Sequence, residues 1–439
     1  MKRILLSLCA FLIGLSIALA ARPSTTTAPD FAYPQKVSAQ AEKDLKKAIK
    51  SNDGKATINA LIRLGLAEGA VSSKNLPPII SRISEIAANE KDAVTQSLLY
   101  TLLADIYSEI YNDNRYTYDE RQMPPLPYPD DIFSWSGDQF KARIKECLTE
   151  ALKPMNKLQS AKITDYATII TLGNNTATFY PTLYDFIANK AITVYIANEA
   201  DNYQLAERWL NHAEQFAVMS TNTLPAGLKD ILNIFQNLTI THEGQTPPAI
   251  LTDLNRYKFV IDHLASTESS TSNFQRYLSL FNSYQNNDYT GLILAKACEN
   301  MESIAEKREG LNEIKKYLAS NETAFNRKQL EYLAETATAP KINVSMPSIV
   351  PKNYDVKIKV SGTNIKECTL HLYKVKPTSY DRRTWNTKDK ATAQLIESKK
   401  IVFNDIPPCS NDTSATFTMP DFGNYAIVPE VEGIKQRDE

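Results

Sequence analysis

At Pro340 the hydrophobic pattern of this chain changes period, and that change constrains its fold more than any other feature. From Val37 to Thr338 apolar residues recur at i, i+3, i+4 and i+7, the stripe of a helix with one buried face. From Ile342 to Ile434 they alternate with polar residues, as in strands with one buried side. The spacing predicts a helical body over residues 37–338 and a β module over residues 340–439.

Within the body, Ile79, Ile80, Ile83, Ile86 and Ala87 form one stripe. Leu98, Leu99, Leu102, Leu103, Ile106, Tyr107 and Ile110 form a wider one, so this helix is expected at the centre. Ala206, Trp209, Leu210, Ala213 and Phe216 predict a further helix. Asn52-Asp53-Gly54, Pro77-Pro78, Gly173-Asn174-Asn175 and Pro247-Pro248 break the pattern. About a dozen helices joined by short loops predict stacked antiparallel pairs. No strict period and no full tetratricopeptide signature appears, so the body reads as an irregular, TPR-like α-α stack.

One insertion, Asn112 to Gly137, reads as non-helical. Pro124, Pro125, Pro127 and Pro129 impose an extended, polyproline-like path. Tyr128, Phe133 and Trp135 give that path aromatic surface to bury. It reads either as an exposed ligand or partner motif, or as a strap packed over the helices with Trp135 as its anchor; the flanking aromatics favour the strap.

In the β module, Ile342, Val344 and Met346 alternate, then Val356, Ile358 and Val360, then Leu370 and Leu372. Leu395-Ile396, Ile401 to Phe403, Thr416 to Met419 and Tyr425 to Val428 follow. Asn353, Gly362-Thr363-Asn364 and Asp421-Phe422-Gly423-Asn424 supply turns. About seven short strands in about 95 residues predict a β-sandwich. The fold class is thus α + β multidomain, an α-α stack followed by a β-sandwich.

The first residues have the form of a secretion signal. Lys2 and Arg3 precede an apolar run from Ile4 to Leu19, and Ala18-Leu19-Ala20 is a small-x-small cleavage pattern. The run is shorter than the roughly 20 residues of a bilayer span. Residues 1–20 therefore read as a signal peptide and residues 21–36 as a linker. The expected location is the periplasm or cell envelope, or the extracellular space. No integral membrane span is expected after cleavage.

A formal charge of −1, with acids and bases interspersed, excludes an electrostatic footprint for nucleic acid. Cys147, Cys298, Cys368 and Cys409 follow the leader, too few for a disulfide framework. Cys147 and Cys298 fall on apolar helical stripes and read as small buried hydrophobes. Cys368 and Cys409 share the β module and are the disulfide candidate, which export permits.

Catalytic signals are sparse. The four histidines, His212, His242, His263 and His371, include no pair at i, i+4, and no H-E-x-x-H, G-x-S-x-G or phosphate-loop pattern occurs. Asp262-His263 has the composition of half a dyad, but adjacent positions on a helix point apart. No catalytic residue, metal ligand or cofactor is therefore assigned.

The order of signal peptide, helical body and terminal β module resembles the amino-terminal region of the large alpha-2-macroglobulin-like proteins of Bacteroidetes-type bacteria. The resemblance rests on Ser97 to Tyr107 (SLLYTLLADIY), Asp131 to Trp135 (DIFSW) and Tyr180 to Ala188 (YPTLYDFIA). In the module it rests on Leu370 to Val375 (LHLYKV) and Gly423 to Pro429 (GNYAIVP), similar to strands of a first macroglobulin domain. Family members are several times longer, with further macroglobulin domains, a bait segment and, in many, a Cys-x-Glu-Gln thioester. None of the four cysteines here is followed by that sequence, and no bait segment is identifiable. The resemblance implies a non-enzymatic, exported scaffold or docking region without covalent trapping, either a truncated product or a stand-alone derivative. Its implied partners are proteins, proteases or envelope components. The alternative expectation is a stand-alone helical-repeat binding module for a peptide, a glycan or an envelope protein.

Overall fold

The computed structural model describes residues 33–122, 126–199, 204–265, 271–375, 393–403 and 408–431. The predicted signal peptide, most of the linker, Pro124 and Pro125 lie outside the described residues. The chain divides into two compact units, Met1–Ser269 and Ser270–Glu439.

The first unit is helical: α1 (Pro34–Lys50), α2 (Gly54–Val71), α3 (Leu76–Asn89), α4 (Ala93–Asp113), α5 (Arg115–Asp119), α6 (Gly137–Leu152), α7 (Met155–Ser160), α8 (Thr176–Phe179), α9 (Leu183–Glu199), α10 (Ala213–Ala217), α11 (Ala226–Thr241) and α12 (Pro247–Asp262). The breakers act as start signals. Asn52 takes a positive φ of 49°, and the Asp53 carboxylate caps α2 by accepting the Ala56 N–H at 3.0 Å. Pro77-Pro78 and Pro247-Pro248 lie in the first turns of α3 and α12, where a missing N–H costs no ladder bond. α4 is buried on nearly every side and packs on α3, α6 and α9.

Two local expectations need correction. The segment 206–216 is not one helix but a 3₁₀ turn, Glu207–Leu210, followed by the short α10. Asn211 and His212 between the two are extended, at ψ 159° and 153°, so the helical ladder stops there. The Arg256 guanidinium donates to the Trp209 carbonyl at 2.8 Å and the Tyr257 hydroxyl to that of Leu210, satisfying carbonyls that the broken ladder leaves open. The insertion, read as non-helical from Asn112, instead carries the end of α4, all of α5 and a 3₁₀ turn at Ile132–Ser134.

The second unit opens with α13 (Asn273–Ser283), α14 (Gly291–Cys298), α15 (Ile304–Ser320) and α16 (Arg327–Thr338). β1 (Lys341–Ser345), β2 (Asp355–Thr363), β3 (Glu367–Val375), β4 (Gln394–Val402), β5 (Ser410–Thr418) and β6 (Asn424–Glu430) follow. The change of period at Pro340 therefore falls inside this unit. The strands form two antiparallel sheets, β1-β2-β5 and β4-β3-β6. One buried cluster draws Val356, Ile358, Val360 and Phe417 from the first sheet and Leu370 and Leu372 from the second. Six strands are described where seven segments were expected, because Leu395-Ile396 and Ile401-Val402 are the two ends of β4. A register shift at Leu372/Tyr373 separates their alternations. Asn364, at φ 56°, ties the module to the preceding helix. Its amide donates to the carbonyls of Ala337 and Ala339 at 2.9 and 3.0 Å and accepts the Cys409 N–H at 3.0 Å.

Candidate functional site

The proline strap runs between α5 and α6. Trp135 is only 7% exposed. Its ring stacks on Tyr128 and Tyr107 at centroid distances of 4.8 and 5.5 Å and tilts against Phe140 at 5.2 Å. Its indole N–H donates to the Pro129 carbonyl at 2.8 Å, so Pro129 is fixed by the anchor itself. Arg121 donates to the carbonyls of Phe133 and Trp135 and closes the loop from its other side. The Tyr128 hydroxyl reaches Glu146 on α6 at 3.2 Å. Burial, and then the Glu146 charge, push that phenol up to about 12. Ser136 and Gln139 form a capping box that starts α6 directly after Trp135. Pro127 and Pro129 thus belong to an anchored strap.

Two histidines sit in built polar arrangements that the sequence did not reveal. In the first unit, Nε2 of His242, at the end of α11, bonds Oδ1 of Asp185 in the first turn of α9. The two side chains are 10% and 2% exposed. The other carboxylate oxygen, Oδ2, accepts the Thr182 backbone N–H at 2.9 Å and its hydroxyl at 2.8 Å. Thr182-x-x-Asp185 is therefore a capping arrangement with an aspartate in the acidic position. Tyr180 and Tyr184 line the same place. Burial raises both phenols, and the Asp185 charge adds to it. Chemically this is half a proton relay: a base oriented by a carboxylate, with no hydroxyl or thiol on Nδ1 among the described residues. It clamps the start of α9 to the end of α11.

In the second unit, His371 on β3 is held from both sides. Its Nδ1 lies 2.8 Å from Ser398 Oγ on β4, and its Nε2 lies 2.8 Å from Glu430 Oε2 on β6. An ionised carboxylate only accepts, so Nε2 carries the proton in the neutral ring and Nδ1 is left to accept from the serine hydroxyl. The imidazole side chain is 16% exposed, that of Glu430 is 69% exposed, and Ser398 is open to solvent.

Asp262 and His263 do not meet. Asp262 pairs with Lys258 one turn earlier, while His263 Nδ1 binds the Phe259 carbonyl at 2.7 Å. His212 is an exposed residue at the start of α10. Cys147, Cys298, Cys368 and Cys409 are buried free thiols; burial pushes the thiols of Cys147 and Cys298 up to about 12. Among the described residues no group of three or more His, Cys, Asp or Glu side chains is placed to hold a metal ion.

The chain matches no protein-family model and no curated protein. One further ion pair links two helices, and another lies within α12. Lys190 on α9 meets Asp105 on α4 at 2.9 Å. Arg256 and Asp253, 0% and 3% exposed, meet at 2.7 Å on α12 while the guanidinium also holds the Trp209 carbonyl. The separations of 57 residues for Asp185–His242 and 59 for His371–Glu430 leave no local signature. The one readable trace is Thr182-x-x-Asp185 ahead of an apolar run, a helix-start signal.

Proposed function

We propose that this chain is an exported, non-enzymatic scaffold or docking protein, built like the amino-terminal region of an alpha-2-macroglobulin-like protein and without covalent trapping ability. The observation that carries this reading is the order and packing of its parts. A body of paired helices precedes two small antiparallel sheets that share one buried cluster, as the two faces of a macroglobulin-type β-sandwich would. The most deeply buried charged groups of the first unit support it, since each is paired across or within helices in a way that fixes architecture. Among the described residues no helix is long and apolar enough to cross a membrane. The partner class is a protein of the cell envelope or a protease that enters it.

The test has two parts. Mature protein from envelope fractions should begin near Ala21. When mixed with a panel of proteases or envelope extract, it should form complexes that dissociate completely in hot detergent. A detergent-stable adduct with a protease would refute the non-covalent reading, and an unprocessed amino terminus in the cytoplasm would refute export.

A further inference from the structure

We propose that Ser398 is a reactive nucleophile, activated by His371 and Glu430, that attacks acyl and phosphonyl electrophiles at the surface of the β module. The proposal goes beyond the docking reading and does not depend on it. It rests on a hydroxyl, an imidazole and a carboxylate in series at 2.8 Å and 2.8 Å, contributed by three neighbouring strands. Nucleophile, base and orienting acid are recognised by this geometry and by their roles rather than by position in a sequence.

The strand register produces the arrangement. His371 stands opposite Ser398 on β4, so their side chains share one face of the sheet. Glu430 stands opposite Thr369, two residues before His371, which puts the carboxylate on that same face at the diagonal position. Tyr373, 9% exposed, has its ring centroid 6.1 Å from that of His371, and Val428, directly opposite His371 on β6, is 5% exposed. The base is thus shielded while the serine is open to an incoming molecule. Among the described residues β4 pairs with β3 alone in its sheet, so alternate backbone N–H groups on its other side have no ladder partner there among those residues. Such donors suit the oxyanion that forms when a serine attacks a carbonyl.

The step balances without a further reagent. Ser398 Oγ attacks the carbonyl carbon of an activated ester, and the hydroxyl proton passes to His371 Nδ1, leaving an imidazolium that Glu430 stabilises through Nε2–H. As the tetrahedral adduct collapses, the ester C–O bond breaks and the leaving oxygen takes the proton from Nδ1. The acyl group remains on Ser398 until water attacks by the reverse sequence. With a fluorophosphonate, the P–F bond breaks in place of C–O and fluoride departs.

The full chain is treated with a fluorophosphonate probe and, separately, with p-nitrophenyl acetate, and the modified residue is located by peptide mass spectrometry. The expected result is one adduct at Ser398, absent in Ser398→Ala. The rate should fall by about 100-fold or more in His371→Gln, the loss expected when a general base is removed. Gln can still hydrogen-bond to both neighbours, and an unchanged thermal midpoint shows that the sheet holds. Glu430→Gln should slow labelling as well. No adduct at Ser398, or an adduct whose rate ignores His371→Gln, overturns the proposal. Release of one equivalent of p-nitrophenol supports it and leaves the docking reading intact. Sustained release that requires Ser398 supports it and replaces the non-enzymatic part of that reading.

Discussion

Replacing Trp135 by alanine tests whether the proline strap is structural. The indole is 93% buried by difference from its 7% exposure, and three aromatic rings lie within 5.5 Å of it. Truncating a buried Trp costs about 3–5 kcal/mol, which already includes lost packing and the cavity left behind. A domain of about 150–250 residues shifts its midpoint by about 2–4 °C per kcal/mol. A central loss of about 4 kcal/mol therefore lowers the midpoint of the first unit by about 8–16 °C. Trp135→Phe separates the contributions: it keeps an aromatic ring and removes the bond to the Pro129 carbonyl, about 1 kcal/mol and hence about 2–4 °C. The assay is thermal unfolding followed by circular dichroism, with urea unfolding as the check on free energy. A Trp135→Ala midpoint within about 1 °C of wild type, a shift worth well under 1 kcal/mol, would mean the strap is not an anchored element.

Arg256→Ala strips the buried Asp253 of its guanidinium partner and releases the Trp209 carbonyl. The expected loss is about 3–5 kcal/mol by urea unfolding, against under about 1 kcal/mol for the exposed Lys258→Ala. The thiols of Cys147 and Cys298, held protonated by burial, should resist a disulfide reagent at pH 8 in the native state. After unfolding without reductant, protein lacking the leader should titrate four thiols, and a count of two would show that Cys368 and Cys409 are bridged. At Glu306, burial raises the carboxyl pKa, but hydrogen bonds from the Ser272 hydroxyl and the backbone of Ser303 and Glu302 outweigh it and leave it lowered. A lowered folded-state value stabilises α15 above the unfolded pKa, and that stability is lost as pH falls through the folded value. Acid unfolding of Glu306→Gln monitored below about pH 5 should therefore be flatter than that of wild type, and identical acid limbs would contradict the assignment.

What could be read from the sequence was whatever repeats on the scale of one element. The wide stripe from Leu98 to Ile110 is the buried α4, and the alternation of Val356, Ile358 and Val360 is the buried side of β2. Turn and cap residues such as Asp53 acted where they stood, through bonds to residues three positions on. The failures have a common cause. The stripe Ala206 to Phe216 has helical spacing, yet its backbone is extended at Asn211 and His212, and its carbonyls are satisfied by Arg256 and Tyr257 from 47 residues away. Leu395 and Ile401 looked like two strands because a register shift in their pairing with β3 breaks the alternation within one. Periodicity reports what a segment buries; it carries no information about which distant side chain will bond to its backbone.

Tertiary placement also decides which histidines meet a carboxylate. Asp262-His263 is an acid–histidine pair adjacent in sequence, yet its members find different partners, Lys258 and the Phe259 carbonyl. The pairs that form are assembled by tertiary structure: a helix start against a helix end for Asp185 and His242, and cross-strand register for Ser398, His371 and Glu430. These two assemblies differ in one decisive respect. Asp185 is already committed through both oxygens and is buried with its histidine, so that pair has nothing left to offer a ligand but one ring nitrogen. At His371 the shielded group is the base, and the group it would activate faces solvent. Since a reactive centre needs its nucleophile accessible and its base protected from competing water, of these two assemblies it is the one in the β module that has the order of burial such chemistry requires.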